Sequence, residues 1–221
     1  MGFKFDYFVS IFSISLPYLK QTMEIALAGF VLAMIVAVVI AVITEYKVKI
    51  LYPICRVYVS FFRCTPIMSQ LFFFYYGLAQ ISLFFRSVPA FIAIIVILGL
   101  NQASFMSETS RGAFSSIPKQ QREACLACGM TNLQAMRRLI LPQAIRVAIP
   151  GLSNSFIGFF KSTSLGFTIG VVELMSRAKI EAARTLRYME AYLAVLIIYW
   201  IIVALFVYLQ KKLETRMNRM Y

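Results

Sequence analysis

Long, nearly uncharged runs of apolar residues are the feature that most constrains the fold of this chain. Residues 23–43 contain a single charged side chain, Glu24, and other apolar runs follow it along the sequence. Hydrophobic residues make up 61% of the chain, whereas a soluble domain is usually about 45–50% apolar. A helix of about 20 apolar residues crosses a bilayer. The chain is therefore predicted to be an all-α, multi-pass membrane protein.

Five membrane spans are predicted, and together they form a single transmembrane domain over residues 1–221. The spans lie at about residues 23–43, 57–78, 89–105, 145–157 with an extension to 169, and 191–209. The fourth span is expected to be interrupted at Pro150-Gly151, because proline removes a helical hydrogen bond. Residues 1–20 lack the pattern of a cleavable signal peptide, and they are expected to form an interfacial helix.

The distribution of basic residues predicts which side of the membrane each loop faces. The loops on one side hold twelve Lys and Arg residues, against eight on the other side, and cytoplasmic loops are usually the richer ones. The N-terminus is therefore expected outside and the C-terminus inside. Residues 107–142 become a cytoplasmic loop and residues 210–221 a cytoplasmic tail. Residues 173–190 fall outside, where an amphipathic surface helix is expected.

Several kinds of chemistry are excluded by the residues present. The net charge of +13 would suit a nucleic-acid-binding protein, but the sequence has no basic tail and no motif for that function. It has no histidine, and it lacks the Gly-x-x-x-x-Gly-Lys-[Ser/Thr] loop that binds ATP phosphates. Catalysis within this chain is therefore not expected. Cys125 and Cys128 form a Cys-x-x-Cys pair, which is interpreted as small packing residues rather than a metal site.

The most specific motif lies between the third and fourth spans. It consists of Glu123-Ala124-Cys125, then Gly129, then Leu139-Ile140-Leu141-Pro142. A short surface helix is expected over residues 120–134, with small residues on one side that allow a partner to approach closely, followed by a restart capped by Pro142. The segment resembles the coupling loop of ABC-importer permeases. The positions that match its pattern at the family's spacing are Glu123, Ala124, Gly129, Leu141 and Pro142.

This resemblance implies the transmembrane domain of a type I ABC importer in the inner membrane of a bacterium. The loop would be a coupling helix that docks on a separate ATPase subunit. ATP and Mg²⁺ would be bound by that subunit, and no cofactor is expected in this chain. A second permease subunit, either identical or homologous, and an extracellular or periplasmic amino-acid-binding protein would complete the assembly.

Two further segments are similar to the polar amino-acid branch of the same family. Phe62-Arg63-Cys64-Thr65-Pro66 looks like its Arg-Gly-Thr-Pro segment, with Cys64 at the glycine position. Pro66 frees the carbonyl four residues earlier, so the helix can bend there. Arg63 and Pro66 are gate candidates, and a snorkelling arginine is the alternative. The segment from Leu152 onwards is similar to the family's fourth span, with Ser155 where that family often carries Glu.

Polar residues inside spans are costly and are therefore functional candidates. Glu24, Gln70, Asn154, Ser155 and Lys161 are predicted to bind the substrate. Glu24 would meet the ammonium of an amino acid, and Asn154 and Ser155 would donate to its carboxylate. Gln70 is expected to face the same cavity as Asn154. Interhelical hydrogen bonding is the alternative for each. The neutral Ser155 favours a neutral or zwitterionic amino acid, such as glutamine or cystine.

Two other interpretations stay open at this point. An ion-coupled secondary carrier would relay ions through Glu24, Glu108 and Lys161, and it would be expected to show paired broken helices in inverted repeats. A non-transporting membrane scaffold would leave the spacing of the coupling motif unexplained.

Overall fold

The computed structural model describes residues 2–218, which contain helices and turns but no strand. Residues 219–221, the end of the predicted cytoplasmic tail, lie outside the described residues. In chain order the helices are α1 (Phe5–Ser15), α2 (Leu19–Glu45), α3 (Leu51–Cys64), α4 (Ile67–Phe72), α5 (Leu78–Ile81), α6 (Leu83–Arg86), α7 (Ala90–Ser115), α8 (Lys119–Ala127), α9 (Asn132–Ala135), α10 (Leu141–Ser162), α11 (Leu174–Thr185) and α12 (Tyr188–Asn218).

The five predicted spans are found as three unbroken segments and two bent pairs of helices. Phe5–Glu45, Ala90–Ser115 and Tyr188–Met217 are each long and apolar enough to cross a membrane. Leu51–Cys64 and Ile67–Ile81 are bent by 110°, and Asn132–Ile169 and Leu174–Thr185 by 47°. The all-α membrane fold is therefore confirmed, with each bent pair counted as one span.

The break at Pro66 is present, whereas the predicted interruption at Pro150-Gly151 is wrong. Thr65 and Pro66 are extended and separate α3 from α4. Pro150, in contrast, lies inside the continuous helix α10. The adjoining Gly151 packs against α7, where an added Cβ would come within 2.6 Å of Thr109 Cγ2. Proline is tolerated inside a membrane helix that packs closely on its neighbours, and α10 packs on α7 at this point.

The core is built on the contact between α2 and α7, and α10 packs against both of these helices. The two backbones approach closely because both helices carry glycine at the crossing. A Cβ added to Gly99 would lie 3.1 Å from the carbonyl oxygen of Gly29, and one added to Gly29 would overlap the ring of Phe159. Small residues at helix crossings are typical of membrane proteins. This contact fixes α7 and α10, which line the candidate site.

The N-terminal helix α1 packs against α11 and α12. The hydroxyl group of Tyr7 donates a hydrogen bond to the carbonyl of Glu181 over 3.1 Å, and the backbone N–H of Lys4 donates to Glu190. A single helical turn at Pro17 joins α1 to α2. The interfacial position of residues 1–20 stays a prediction, whereas the described part of this segment is helical from Phe5 onwards.

Helix α11 forms where the sequence predicts an amphipathic helix, but its carboxylates point inwards. Glu173 is fully buried and caps the helix by accepting hydrogen bonds from the backbone N–H groups of Met175 and Ser176. The hydroxyl of Tyr199 also donates to Glu173, over 3.2 Å. Glu181 is buried as well and pairs with Arg177 at 2.7 Å. Glu173 therefore holds the start of α11 against α12, whereas the Glu181–Arg177 pair lies within α11 itself.

The exposed surface of the long helices is apolar. On α12, Trp200 is 71% exposed, and Leu196 and Leu205 are also exposed. Val31 and Ile35 on α2 are exposed in the same way. Since lipid tails are as apolar as leucine side chains, these faces suit contact with the bilayer.

Candidate functional site

The break at Pro66 is stabilised by two buried amide side chains. Gln70 Nε2 donates to the carbonyl oxygens of Phe62 and Thr65, both at 3.1 Å, and to the Thr65 hydroxyl at 2.6 Å. Asn101 Nδ2, on α7, donates to the same Phe62 carbonyl at 3.1 Å and to Gln70 Oε1 at 2.9 Å. The carbonyl that Pro66 leaves without its helical partner is thus fully bonded. Gln70 is only 2% exposed.

A cleft of about 810 Å³ lies beside this break, between α3, α7 and α10. Half of its lining residues carry uncharged amide or hydroxyl side chains, and Phe62 and Phe105 form aromatic walls. The polar uncharged residues are Thr65, Asn101, Gln102, Thr109, Asn154, Ser155 and Ser162. Such a lining offers donors and acceptors of both kinds to a small polar molecule.

The charged residues of the cleft form an ion pair at one end. Arg63 Nη1 lies 3.7 Å from Glu108 Oε2, and the guanidinium of Arg63 lies over the ring of Phe105 at 5.7 Å. Arg111, one helical turn after Glu108, donates to the same carboxylate at 2.7 Å. Both members of the Arg63–Glu108 pair line the cleft. The lining itself therefore contains one positive and one negative side chain, and Arg111, outside the lining, is a second cationic partner of the same carboxylate.

The structure brings some of the predicted site residues together and separates others from them. Asn154, Ser155 and the gate candidate Arg63 line the cleft, and Pro66 forms the break at its edge. Gln70 does not line the cleft, because its amide is used in the break. Glu24 is exposed on α2, 3.9 Å from Lys20, and neither it nor the exposed Lys161 lines the cleft that contains Glu108.

No substrate contact is assigned from the sequence to Gln102, Glu108 or Thr109 in the importer interpretation, although all three line the cleft. Glu108 is named only as an ion relay of the alternative carrier. Together with Phe105 these three residues follow the spacing of one helix face, because residues three and four apart are neighbours on a helix. This periodicity at the polar end of the third span was the signal that could have revealed them.

The coupling segment folds as two short helices rather than one. Helix α8 ends at Ala127 instead of reaching residue 134, because Gly129 adopts a φ of 80°, a conformation that favours glycine. Thr131 and Gln134 then form a capping box that starts α9. A π-helical turn, Met136–Ile140, continues α9 into α10. The predicted restart at Pro142 is therefore wrong: the helix restarts at Asn132, and Pro142 lies near the start of α10.

Most of the motif residues of this segment face outwards. Glu123, Ala124, Gly129 and Pro142 are exposed, and Leu141 is 37% exposed. The small residues Ala127 and Cys128 are exposed as well. Cys125, expected on the small outer side, is instead buried. Ala124, Ala127 and Cys128 nevertheless form an exposed patch of small residues on α8, beside larger exposed side chains such as Leu126.

A second concavity, of about 550 Å³, lies between α8 and the ends of α2 and α7. Its lining includes Glu45 from α2, Phe114 from α7, and Lys119 and Glu123 from α8. Charged side chains of both signs thus line the side of α8 that faces the ends of α2 and α7.

Most of the chain matches a known protein family. Residues 29–219 match the family described as "Binding-protein-dependent transport system inner membrane component". This chain belongs to that family. As a membrane component of a transport system, it is a transport subunit rather than an enzyme, and the resemblance stated from its sequence is confirmed.

Curated relatives of this permease are similar over nearly the whole chain. It is 46% identical over 221 residues to the "Probable amino-acid ABC transporter permease protein PatM" of Vibrio harveyi, covering 100% of this chain and 99% of that protein. It is 37% identical over 199 residues to the "L-cystine transport system permease protein TcyB" of Bacillus subtilis strain 168, covering 90% of this chain and 84% of that protein.

A solved structure gives the same result for the fold. The permease superposes on a chain from the "Crystal structure of an amino acid ABC transporter with histidines" with a TM-score of 0.91 and 29% sequence identity, covering 98% of this chain and 100% of that chain. The predicted type I ABC-importer fold is therefore confirmed.

Gln70→Leu is expected to destabilise the break at Pro66 without changing which substrate is recognised. It leaves the Thr65 carbonyl without this donor, and an unsatisfied buried polar group costs about 1–3 kcal/mol. The loss of the helical circular-dichroism signal on heating in detergent would shift to lower temperature. Gln102→Leu is the matched control, since Gln102 lines the cleft, and its melting should be unchanged. Equal melting of both variants would contradict this role for Gln70.

Proposed function

We propose that this permease carries a polar amino acid with a neutral or zwitterionic side chain, such as glutamine or cystine, through the cleft between α3, α7 and α10. The observation that carries this proposal is the charge balance of the cleft. One cation and one anion line it, and every other polar group in the lining is neutral. A free amino acid brings one ammonium and one carboxylate, so the two sets of charges match.

The Arg63–Glu108 pair can exchange its internal contact for contacts with the substrate. Glu108 would accept from the ammonium, the role predicted for Glu24, and Arg63 would donate to the carboxylate. A planar guanidinium suits a carboxylate because it can form two parallel hydrogen bonds. Without substrate the pair closes one end of the cleft, which gives Arg63 the gate role, with the Pro66 break as the place where the chain bends. Glu24 and Lys161 are not included in this site.

Asn154 and Ser155 would then contact the side chain of the substrate. Both lie on α10, opposite the polar face of α7, and neither carries a charge. A lysine or arginine side chain would therefore find no counter-ion at this position. The similarity to a cystine permease supports the same substrate class, since the ammonium and carboxylate of cystine's second amino-acid group sum to zero charge and can be bonded by neutral amide and hydroxyl groups.

Ser155→Glu is expected to shift transport towards cationic amino acids, because it places an acceptor charge in the cleft. A hydrogen bond to a charged group contributes about 1.5–3 kcal/mol, which corresponds to roughly a ten- to hundredfold change in relative affinity. Competition of uptake by cationic, neutral and acidic amino acids measures the change.

The matched control is Ser153→Glu, since Ser153 lies on the same helix but does not line this cleft. Its competition profile should equal that of the unaltered protein. An unchanged profile for Ser155→Glu at normal protein levels would remove Ser155 from the proposed site.

Transport would be driven by ATP and Mg²⁺ bound to a separate ATPase subunit. That subunit would dock on the exposed side of α8, where Ala124, Ala127 and Cys128 leave room for close approach. Glu123 and Gly129 would lie at the edge of the contact, and Leu141 and Pro142 at the start of α10 would complete it. The family's description as part of a binding-protein-dependent system supports such an assembly.

Ala124→Trp is expected to abolish uptake, because the bulky ring would separate α8 from the ATPase subunit. Ala124 is a better position than Gly129 for this test, since any side chain at a φ of 80° would also strain the turn. Ala124→Ser keeps the side chain small and should retain uptake. Full uptake by Ala124→Trp, with the ATPase subunit still bound in pull-down experiments, would contradict the docking surface.

A second permease subunit would close the transport pathway, since the cleft of one chain is open on one side. An extracellular or periplasmic binding protein would deliver the amino acid to the outer side. The permease would lie in the inner membrane with its N-terminus outside, its C-terminus inside and α8 in the cytoplasm. The excess of basic residues in the loops on the α8 side supports this orientation.

Cysteine labelling tests the orientation directly. In a background lacking the four native cysteines, Lys119→Cys on α8 and Arg86→Cys on α6 place thiols at two exposed positions. A membrane-impermeant maleimide added to intact spheroplasts should label only Arg86→Cys. Disrupted membranes serve as the control, because both positions should react there. Labelling of Lys119→Cys in intact spheroplasts would contradict the proposed orientation.

A further inference from the structure

Helix α8 is a short element held between two turns. It has nine residues, and residues 116–118 and 128–131 connect it to α7 and α9. A helix mounted in this way can tilt on its turns unless side chains tie it to the rest of the molecule. A tilt that does not reach α10 would leave the cleft unchanged.

Two hydrogen-bonded contacts tie α8 to the helical run that begins at α9. Gln143 Nε2, in α10, donates to Gln121 Oε1 over 2.8 Å. Arg122 donates to Asn132 Oδ1, at the start of α9, over 2.9 and 3.3 Å. The first contact is half-buried, whereas the second is exposed. Water competes with the exposed contact more strongly.

The two contacts also differ in what lies between them and the cleft. Asn132 is separated from α10 by the π-helical turn Met136–Ile140, and such turns are often places where a helix adapts. Gln143 lies beyond that turn, inside the continuous helix that carries Asn154 and Ser155. With a rise of 1.5 Å per residue, Ser155 lies roughly 18 Å along the same helix. A displacement at Gln143 therefore reaches the cleft through one uninterrupted helix.

We propose that the Gln121–Gln143 hydrogen bond is the positioning contact that makes α10 follow α8 when the ATPase subunit moves. This inference rests on the proposed function, because it assigns a role within ATP-driven transport. Gln121 and Gln143 touch neither the substrate cleft nor the exposed small side of α8. They act by holding the coupling helix and the cleft helix together as one body.

The test compares substrate uptake with ATP hydrolysis in proteoliposomes containing the permease and its ATPase subunit. The probe is a radiolabelled mixture of the protein amino acids and cystine, supplied with the binding protein. Gln121→Leu and Gln143→Leu should each lower uptake per ATP hydrolysed by about three- to tenfold, the effect of losing one neutral hydrogen bond. The amount of bound ATPase subunit should stay unchanged.

A matched control and a rescue separate positioning from general damage. Gln120→Leu changes the same residue type at the exposed neighbouring position of α8, and its uptake per ATP should be normal. Gln143→Glu keeps a bonded pair, because the amide of Gln121 can turn and donate to the new carboxylate, so it should retain most of the coupling that Gln143→Leu loses. The double variant Gln121→Lys with Gln143→Glu replaces the amide pair by an ion pair and should recover most of the coupling that the Leu variants lose. It also tests the contact if one of the Leu variants proves unstable.

Two results would overturn the inference. If the Leu variants transport as much per ATP as Gln120→Leu, the contact carries no motion, and the proposed function is unaffected. Failure of the double variant to recover coupling, with normal assembly, would show that the contact itself is not what the single variants lack. The absence of any ATP-dependent uptake by the unaltered protein would instead refute the proposed function, and the inference with it.

Discussion

The structure depends on how one backbone carbonyl is satisfied inside an apolar environment. Pro66 leaves the Phe62 carbonyl without its helical partner, and a bare carbonyl in the membrane would be costly. The amides of Gln70 and Asn101 supply the missing donors. Because these two residues lie on different helices, the same bonds hold α4 against α7. The sharp bend then sets Arg63 and Thr65 at the edge of the cleft, beside the polar residues of α7.

Helix α7 serves both the core and the site. Its small residues, with Gly99 and Ala103 among them, pack against α2, while Gln102, Phe105 and Glu108 line the cleft. The side of α7 that faces α2 and the side that faces the cleft cannot change independently. A rotation of α7 by one residue about its axis would move the carboxylate of Glu108 away from Arg63. The close α2–α7 crossing thus fixes the geometry of the Arg63–Glu108 pair.

Much of this arrangement can be predicted from the sequence, because apolar runs and local motifs act at short range. The five spans, the break at Pro66 and the cleft positions of Asn154 and Ser155 are of this kind. Long-range packing decides the rest. Pro150 lies within a continuous α10 whose Gly151 packs on Thr109, Gln70 turns away from the cleft to bond Phe62, and Glu173 is buried beside Tyr199. The end of α8 is determined locally by the turn at Gly129, but the presence of a glycine in the sequence does not show that it adopts a positive φ.

Trp200 has a practical consequence for studies in detergent and lipid. It is the single tryptophan of the chain, and it lies on the outer face of α12, away from the cleft and from α8. Its emission therefore reports the medium around the protein, so transfer from micelles to a bilayer changes the spectrum while unfolding of the core affects it little. Quenchers placed at known depths along lipid chains can use this native residue to measure how deep that part of α12 lies.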